Sequence, residues 1–181
     1  MGEDKAGIVI EGQPLWKRQL AVLRDLNPSE LFISGRPEGP YMGEAVEVVL
    51  DVHPGAGPLA GLEAALLRLK TPWLAVLAID LPEMNAAFLA RLLTLAFKRK
   101  RSIVPFDGEW FEPLAAIYTR AMLALTTECL RGDDHSMQHL AGEAIERGLA
   151  APYRILPEEM RLFKNVNEPG DLIPPKDGGT V

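Results

Sequence analysis

Short apolar runs rich in β-branched residues recur along the chain at 31–34 (LFIS), 46–51 (VEVVLD), 73–80 (WLAVLAID), 102–107 (SIVPFD) and 114–119 (LAAIYT), and each predicts a strand. Between and after them, apolar positions repeat at helical spacing over 14–26, 58–70, 85–100, 120–131 and 136–147, the last stopping at Gly148. Strand and helix therefore alternate for much of the sequence. WLAVLAID is almost continuously apolar, the pattern of a strand covered on both faces, so the expected class is α/β: a mostly parallel sheet between two helical layers. In such sheets ligands bind beyond the C-terminal ends of the strands, where VVLD and LAID deliver Asp51 and Asp80.

Composition narrows this picture. A chain of 181 residues with 48% apolar and 24% charged residues has the make-up of an ordinary globular domain. The expected organisation is a single domain over 1–170 and a mobile, Pro- and Gly-rich tail over 171–181. A formal charge of -6 argues against a nucleic-acid surface, which needs clustered Lys and Arg. The basic run Lys98-Arg99-Lys100-Arg101 ends an apolar helix, where cations suit the negative end of the helix dipole. The lone Cys129 provides neither a disulfide framework nor a Cys-based metal site. No apolar run approaches the roughly 18 residues needed to span a bilayer, and the N-terminus lacks a signal pattern, so no membrane association and a cytoplasmic location are expected.

Asp80 is the first candidate for chemistry. It follows a buried strand and precedes Leu-Pro, which places a carboxylate at the rim of the sheet where the chain must turn, a setting suited to Mg²⁺ bridging nucleotide phosphates. Asp51 ends its own strand in the same way. A capping or solvated aspartate is the alternative reading for each. GAGPLAG, with Gly55, Gly57 and Gly61, permits close backbone approach, and Pro58 suits a first helical turn, so a helix N-terminus there offers an anion or base-edge site or else a plain tight turn. It matches neither GK[ST] nor GxGxxG. Lys5 offers a point charge for a triphosphate, or is simply solvated. Asn165 and Asn167 project amides from an extended segment, or belong to an ordinary turn. His135 and His139 stand at i, i+4 without the glutamate of HExxH or an evident third ligand, and Ser136 has no elbow glycines, so zinc and serine-triad chemistry are unsupported.

In order along the chain, MGEDK, QPLW, GPLAG, IDLPEM, EPLAAIY and NVNEPGDL resemble segments of the molybdenum cofactor guanylyltransferases. The resemblance covers nearly the whole sequence; GPLAG and NVNEP carry most of its specificity, whereas IDLP occurs in many nucleotidyltransferases. It implies a Rossmann-like nucleotidyltransferase in which GTP and a molybdopterin-bearing substrate meet above the sheet. By the same resemblance Lys5 contacts GTP, Asp51 binds the nucleotide, and Asp80 binds GTP through Mg²⁺. Gly57, Pro58, Leu59, Ala60 and Gly61 line the nucleotide pocket, and Asn165 and Asn167 lie on the pterin side. Ser34 stands where the family often has a GTP-contacting asparagine. Proteins that deliver or receive the cofactor are implied partners. Transfer of CMP to molybdopterin, transfer of a nucleotide to a sugar phosphate, and a nonenzymatic nucleotide-binding or interaction module are the competing readings.

There is one departure from the family pattern. Family members carry a buried strand and an LAGGxSxR loop directly before the MGxDK segment, whereas this sequence begins at that methionine. The resemblance then implies that a central strand and its phosphate-cradling amides are missing, leaving apolar faces and unpaired backbone on neighbouring strands. The expectation is that Met1 is internal to a longer natural chain, or that another segment completes the sheet.

Overall fold

A computed structural model of the chain describes residues 7–35, 38–41, 45–50, 53 and 55–166. A short hairpin of β1 (Val9–Ile10) and β2 (Gln13–Pro14) leads into α1 (Leu15–Arg24). Then come β3 (Phe32–Ser34), β4 (Glu47–Val49), α2 (Pro58–Arg68), β5 (Trp73–Leu77) and α3 (Ala86–Arg99). The chain continues through β6 (Ser102–Phe106), β7 (Ala115–Thr119), α4 (Met122–Arg131), α5 (Met137–Glu146), β8 (Ala150–Arg154) and a 3-10 helix (Pro157–Phe163). The predicted strands and helices all form, with ends shifted by a few residues; β8 and the initial hairpin are additions. The predicted tail at 171–181 lies outside the described residues.

The α/β, Rossmann-like class expected from the sequence is what forms, built on a mixed sheet in the order β5-β7-β6-β8. β6 and β8 run parallel, as do β3 and β4 in a separate pair. β7 is antiparallel to both β5 and β6. The reason is connection length: residues 107–114 alone join β6 to β7, whereas a parallel return needs about a dozen or more residues of crossover.

Helices cover both faces. On one, Leu59, Leu62 and Leu66 of α2 and Leu125 and Cys129 of α4 pack with Val104, Ala116 and Tyr118 of the sheet. On the other, Phe88, Leu89, Leu92 and Ala96 form one stripe of α3 against Ile103, Ala115 and Ile117. Fully burying each such leucine contributes roughly 1.5–3 kcal/mol. α3 starts where the Asn85 side chain accepts a bond from the Phe88 amide, and it ends on Lys98 and Arg99 with Lys100 in the left-handed region at φ 53°.

β5 departs from its sequence pattern in one respect. Leu74 and Val76 face the α2–α4 side, and Trp73, Ala75 and Leu77 face the α3 side, so both faces are covered as expected. Yet every residue of β5 is only partly buried. β5 pairs with β7 on one edge and with nothing on the other among the described residues, and β3 likewise pairs only with β4. Helix α1 bridges the two groups: Val22, Leu23 and Leu26 pack with the β5 cluster, while Trp16 and Leu20 pack with Ile33 and Val48.

Candidate active site

Asp80 lies in the turn after β5, at the end of the sheet where β6 also finishes. The backbone around it is tied from two directions. The Val166 amide donates to the Asp80 carbonyl at 2.9 Å. From below, Nε2 of Gln19 on α1 donates to the carbonyl of Leu81 at 2.7 Å and approaches that of Ile79 at 3.4 Å. Gln19 is 5% exposed, and its Oε1 is buried without a hydrogen-bond partner among the described residues.

The Val166 contact depends on a polar anchor further back. The 3-10 helix is fastened by Glu159, a buried carboxylate that accepts from Arg91, from the Tyr153 hydroxyl at 2.9 Å and from the Leu156 amide at 3.0 Å. Phe163 packs edge-to-face on Phe88. These contacts lead the chain back to β5, so that Asn165, exposed, adjoins the residue bonded to Asp80.

A second wall comes from the β6–β7 hairpin. Oδ1 of Asp107 accepts from the Glu109 and Trp110 amides, each at 2.7 Å, and those bonds hold its carboxyl below the usual range. Gly108 sits at φ 120°, and a Cβ there would strike the Arg154 guanidinium. Gln138 on α5 both accepts from and donates to the Phe111 backbone, and the buried Tyr118 hydroxyl donates to the Pro113 carbonyl at 2.7 Å. Exposed Trp110 is thus carried on a loop pinned by hydrogen bonds. Glu112 follows, and partial burial with the charges of Asp107 and Asp80 raises its carboxyl to about 7. Glu112 lies within the electrostatic reach of Asp80 and Asp107.

The glycine segment forms the entry to α2. Gly57 is the N-cap at φ 64°, Pro58 takes the first turn, and no side chain caps the helix. Gly57 and Pro58 are exposed, whereas Leu59 and Ala60 are fully buried in the core and Gly61 is buried beside them. A buried acid steadies the approach: Glu63 accepts from Thr127 at 2.6 Å and lies 3.3 Å from His53 Nε2.

The Asp80 backbone is therefore joined to Val166, the residue after Asn165, from a distant part of the chain, while Lys5, Asp51 and Asn167 lie outside the described residues. Ser34 ends β3 and is exposed. Ser136 is the N-cap of α5, accepting from the His139 amide, and His135 contacts the Gly132 carbonyl. Sequence reasoning did not single out Gln19, Asp107, Glu112 or Glu159. Asp107 was legible as a strand-end aspartate in a DG turn; Gln19 carried no local signal beyond a polar residue on the apolar stripe of α1.

Comparison with known proteins identifies relatives of this chain. Residues 1–147 match the model of the MobA-like NTP transferase domain. A probable molybdenum cofactor guanylyltransferase of Opitutus terrae is 39% identical over 94% of this chain and 86% of its own length. One from Deinococcus radiodurans is 30% identical over 94% and 84%. Among solved structures, molybdopterin-guanine dinucleotide biosynthesis protein A from Archaeoglobus fulgidus superposes with a TM-score of 0.74 at 23% identity, over 94% of this chain and 87% of its own. A 2-C-methyl-D-erythritol 4-phosphate cytidylyltransferase from Thermus thermophilus shares the fold at a TM-score of 0.66 and 18% identity, over 92% and 89%. By the extent of the domain match and the identity to these relatives, the chain belongs to the MobA-like NTP transferases.

Proposed function

We propose that this chain is a guanylyltransferase that moves GMP from GTP to the terminal phosphate of molybdopterin, in its metal-free or molybdenum-bearing form, with release of pyrophosphate. The observation that carries the reading is the meeting of Asp80 with the Asn165 segment through the Val166–Asp80 bond. It ties the backbone of the IDLPEM segment, which carries Asp80, to that of Val166, next to Asn165 in the NVNEP segment, and these are two of the stretches on which the family resemblance rests. The names of the relatives point the same way.

In the reaction an oxygen of the molybdopterin phosphate bonds to the α-phosphorus of GTP while the bond from that phosphorus to the pyrophosphate oxygen breaks. Both reactants are anions, so positioning and charge neutralisation are the main tasks. The uncapped N-terminus of α2 presents amides to a nucleotide, and Gly57 lets the ligand approach that backbone. Lys5 and Asp51 are assigned to the triphosphate and the nucleoside, and Asn165 and Asn167 to the pterin-bearing reactant.

Mg²⁺ fits the donor chemistry: Asp80 would supply a hard oxygen ligand at the rim of the sheet. No group of three or more acidic, His or Cys side chains suited to a metal occurs among the described residues, which is consistent with an ion held by one carboxylate plus substrate phosphates. When bound, the ion supplies charge neutralisation on the phosphates.

The test is equilibrium binding of GTP, CTP, ATP and UTP in the presence of Mg²⁺, followed by pyrophosphate release on adding molybdopterin. Preference for GTP and molybdopterin-dependent release are expected. Preference for CTP contradicts guanylyl transfer.

A further inference from the structure

We infer that Gln19 is a positioning residue for Asp80, holding the backbone on both sides of that carboxylate from beneath the site. The inference deepens the guanylyltransferase reading and rests on it for the role of Asp80.

The geometry is specific. The direction in which Asp80 projects its side chain is set by the two peptide groups that flank its Cα. The carbonyl of the preceding group, on Ile79, lies 3.4 Å from Gln19 Nε2, and the carbonyl of the following group, on Asp80 itself, accepts from the Val166 amide at 2.9 Å. Leu81, next in line, gives Gln19 its short bond of 2.7 Å and also accepts from the Met84 amide at 3.1 Å. Pro82 follows and has no amide of its own to anchor the turn. Three successive carbonyls are thus held by α1 on one side and by Val166 on the other.

Chemistry fixes which way the Gln19 amide points. Turning it over would bring Oε1 against the two carbonyls it now serves, so the donor end must face Ile79 and Leu81. That choice leaves Oε1 buried with no partner among the described residues, an arrangement that packing alone does not favour. An apolar side chain of equal length would fill the same space between α1 and the turn without leaving a buried acceptor orphaned. The Gln19 clamp buys only one thing that such a side chain lacks: a fixed carbonyl path through Asp80, and displacements of about 1 Å at a reacting centre are enough to matter.

The experiment compares the full chain with Gln19→Met, Gln19→Glu and Asp80→Asn. Each is titrated with Mg²⁺ in the presence of GTP and followed by amide hydrogen exchange. Gln19→Met is expected to fold, to raise the half-saturating Mg²⁺ concentration about tenfold, as for the loss of one net hydrogen bond, and to leave metal-free GTP affinity unchanged. Exchange of the Val166 amide should speed up while that of Ile117 stays as in the parent chain. Gln19→Glu, which keeps the shape but repels the carbonyls when ionised, should show the same defect at pH 8 and recover toward parent behaviour at pH 5, where a protonated carboxyl donates again; unchanged Ile117 exchange at both pH values separates this local effect from a loss of overall stability. If Gln19→Met fails to fold, Gln19→Glu alone decides. Unaltered Val166 exchange together with unaltered Mg²⁺ dependence in either folded variant overturns the inference. Asp80→Asn separates the two claims. If it leaves Mg²⁺ dependence intact, the metal role of Asp80 falls and the positioning role with it. If it abolishes that dependence while the Gln19 variants are silent, only the present inference falls.

Discussion

The strands β6, β7 and β8 and the strands β3, β4 and β5 are written in similar apolar residues, yet they are covered very differently. Ile103 and Ile117, on the first group, are fully buried; Ile33 and Val48, on the second, are only partly so. Helices pack on both faces of both groups, so face coverage does not explain the contrast. Edge pairing does. β6 and β7 each have a neighbour on both edges, whereas β3 and β5 each present one edge without a partner among the described residues. An open edge leaves a row of backbone donors and acceptors to solvent and thins the cover over the strand beside it, although Val49 on β4 is fully buried even so. The proposed site lies on the boundary: Asp80 leaves the half-covered β5, while the pinned hairpin that helps frame it joins β6 and β7, each paired on both edges.

This contrast can be broken by making one substitution in both places. Ile117→Ala removes a fully buried side chain and is expected to cost about 2–5 kcal/mol in denaturant unfolding. Next in size, Glu159→Ala leaves the Tyr153 hydroxyl and the Leu156 amide without their acceptor and is expected to cost roughly 2–4 kcal/mol, with faster exchange at Val166 as the anchor of the terminal segment loosens. Ile33→Ala, the same chemical change beside the open edge, should cost only about 1–2 kcal/mol. Equal losses at Ile33 and Ile117 would show that edge exposure does not govern stability here.

The smallest expected effect is a pH dependence. Burial and the neighbouring carboxylates raise Glu112 from 4.5 to about 7 in the folded chain, so between those values the native state holds a proton that the unfolded chain has released. Stability should therefore decline as pH rises through this window, with the penalty fully present above pH 7 and absent below 4.5. Glu112→Gln should be more stable than the parent at pH 8, and the two should converge near pH 4.5; because Glu112 is half exposed, screening keeps the difference small. Thermal midpoints measured across that range check both sign and window.

Much of this was readable in the sequence because it depends on local periodicity. The alternation of strand and helix located the strands and helices that bracket Asp80, and the rim position of that residue follows from a strand ending in Asp-Leu-Pro. The antiparallel return of β7 had a signal too, in the shortness of 107–114, but the expectation of a mostly parallel sheet overlooked it. What periodicity cannot report is which strands end as neighbours. WLAVLAID reads as covered on both faces, and so it is, while its open edge depends on pairing with residues elsewhere. The site shows the same limit. Val166 bonds the Asp80 backbone, Gln19 bonds the neighbouring carbonyls of Ile79 and Leu81, and Glu159 anchors the 3-10 helix that leads to Val166, all through hydrogen bonds that leave no repeating pattern. Asp51 and Lys5, by contrast, were candidates by strand-end position and by charge, and their particular roles came only through family resemblance.

The central claim is that Asp80 joins Mg²⁺ to the nucleotide at the end of β5. Its most direct test is the Mg²⁺ dependence of GTP binding in the parent chain and in Asp80→Ala, with the thermal midpoint confirming that both are folded. Loss of one charged, metal-directed contact is expected to weaken Mg²⁺-dependent binding by at least about tenfold, with metal-free binding little altered. Equal Mg²⁺ dependence in the two folded proteins would contradict the assignment.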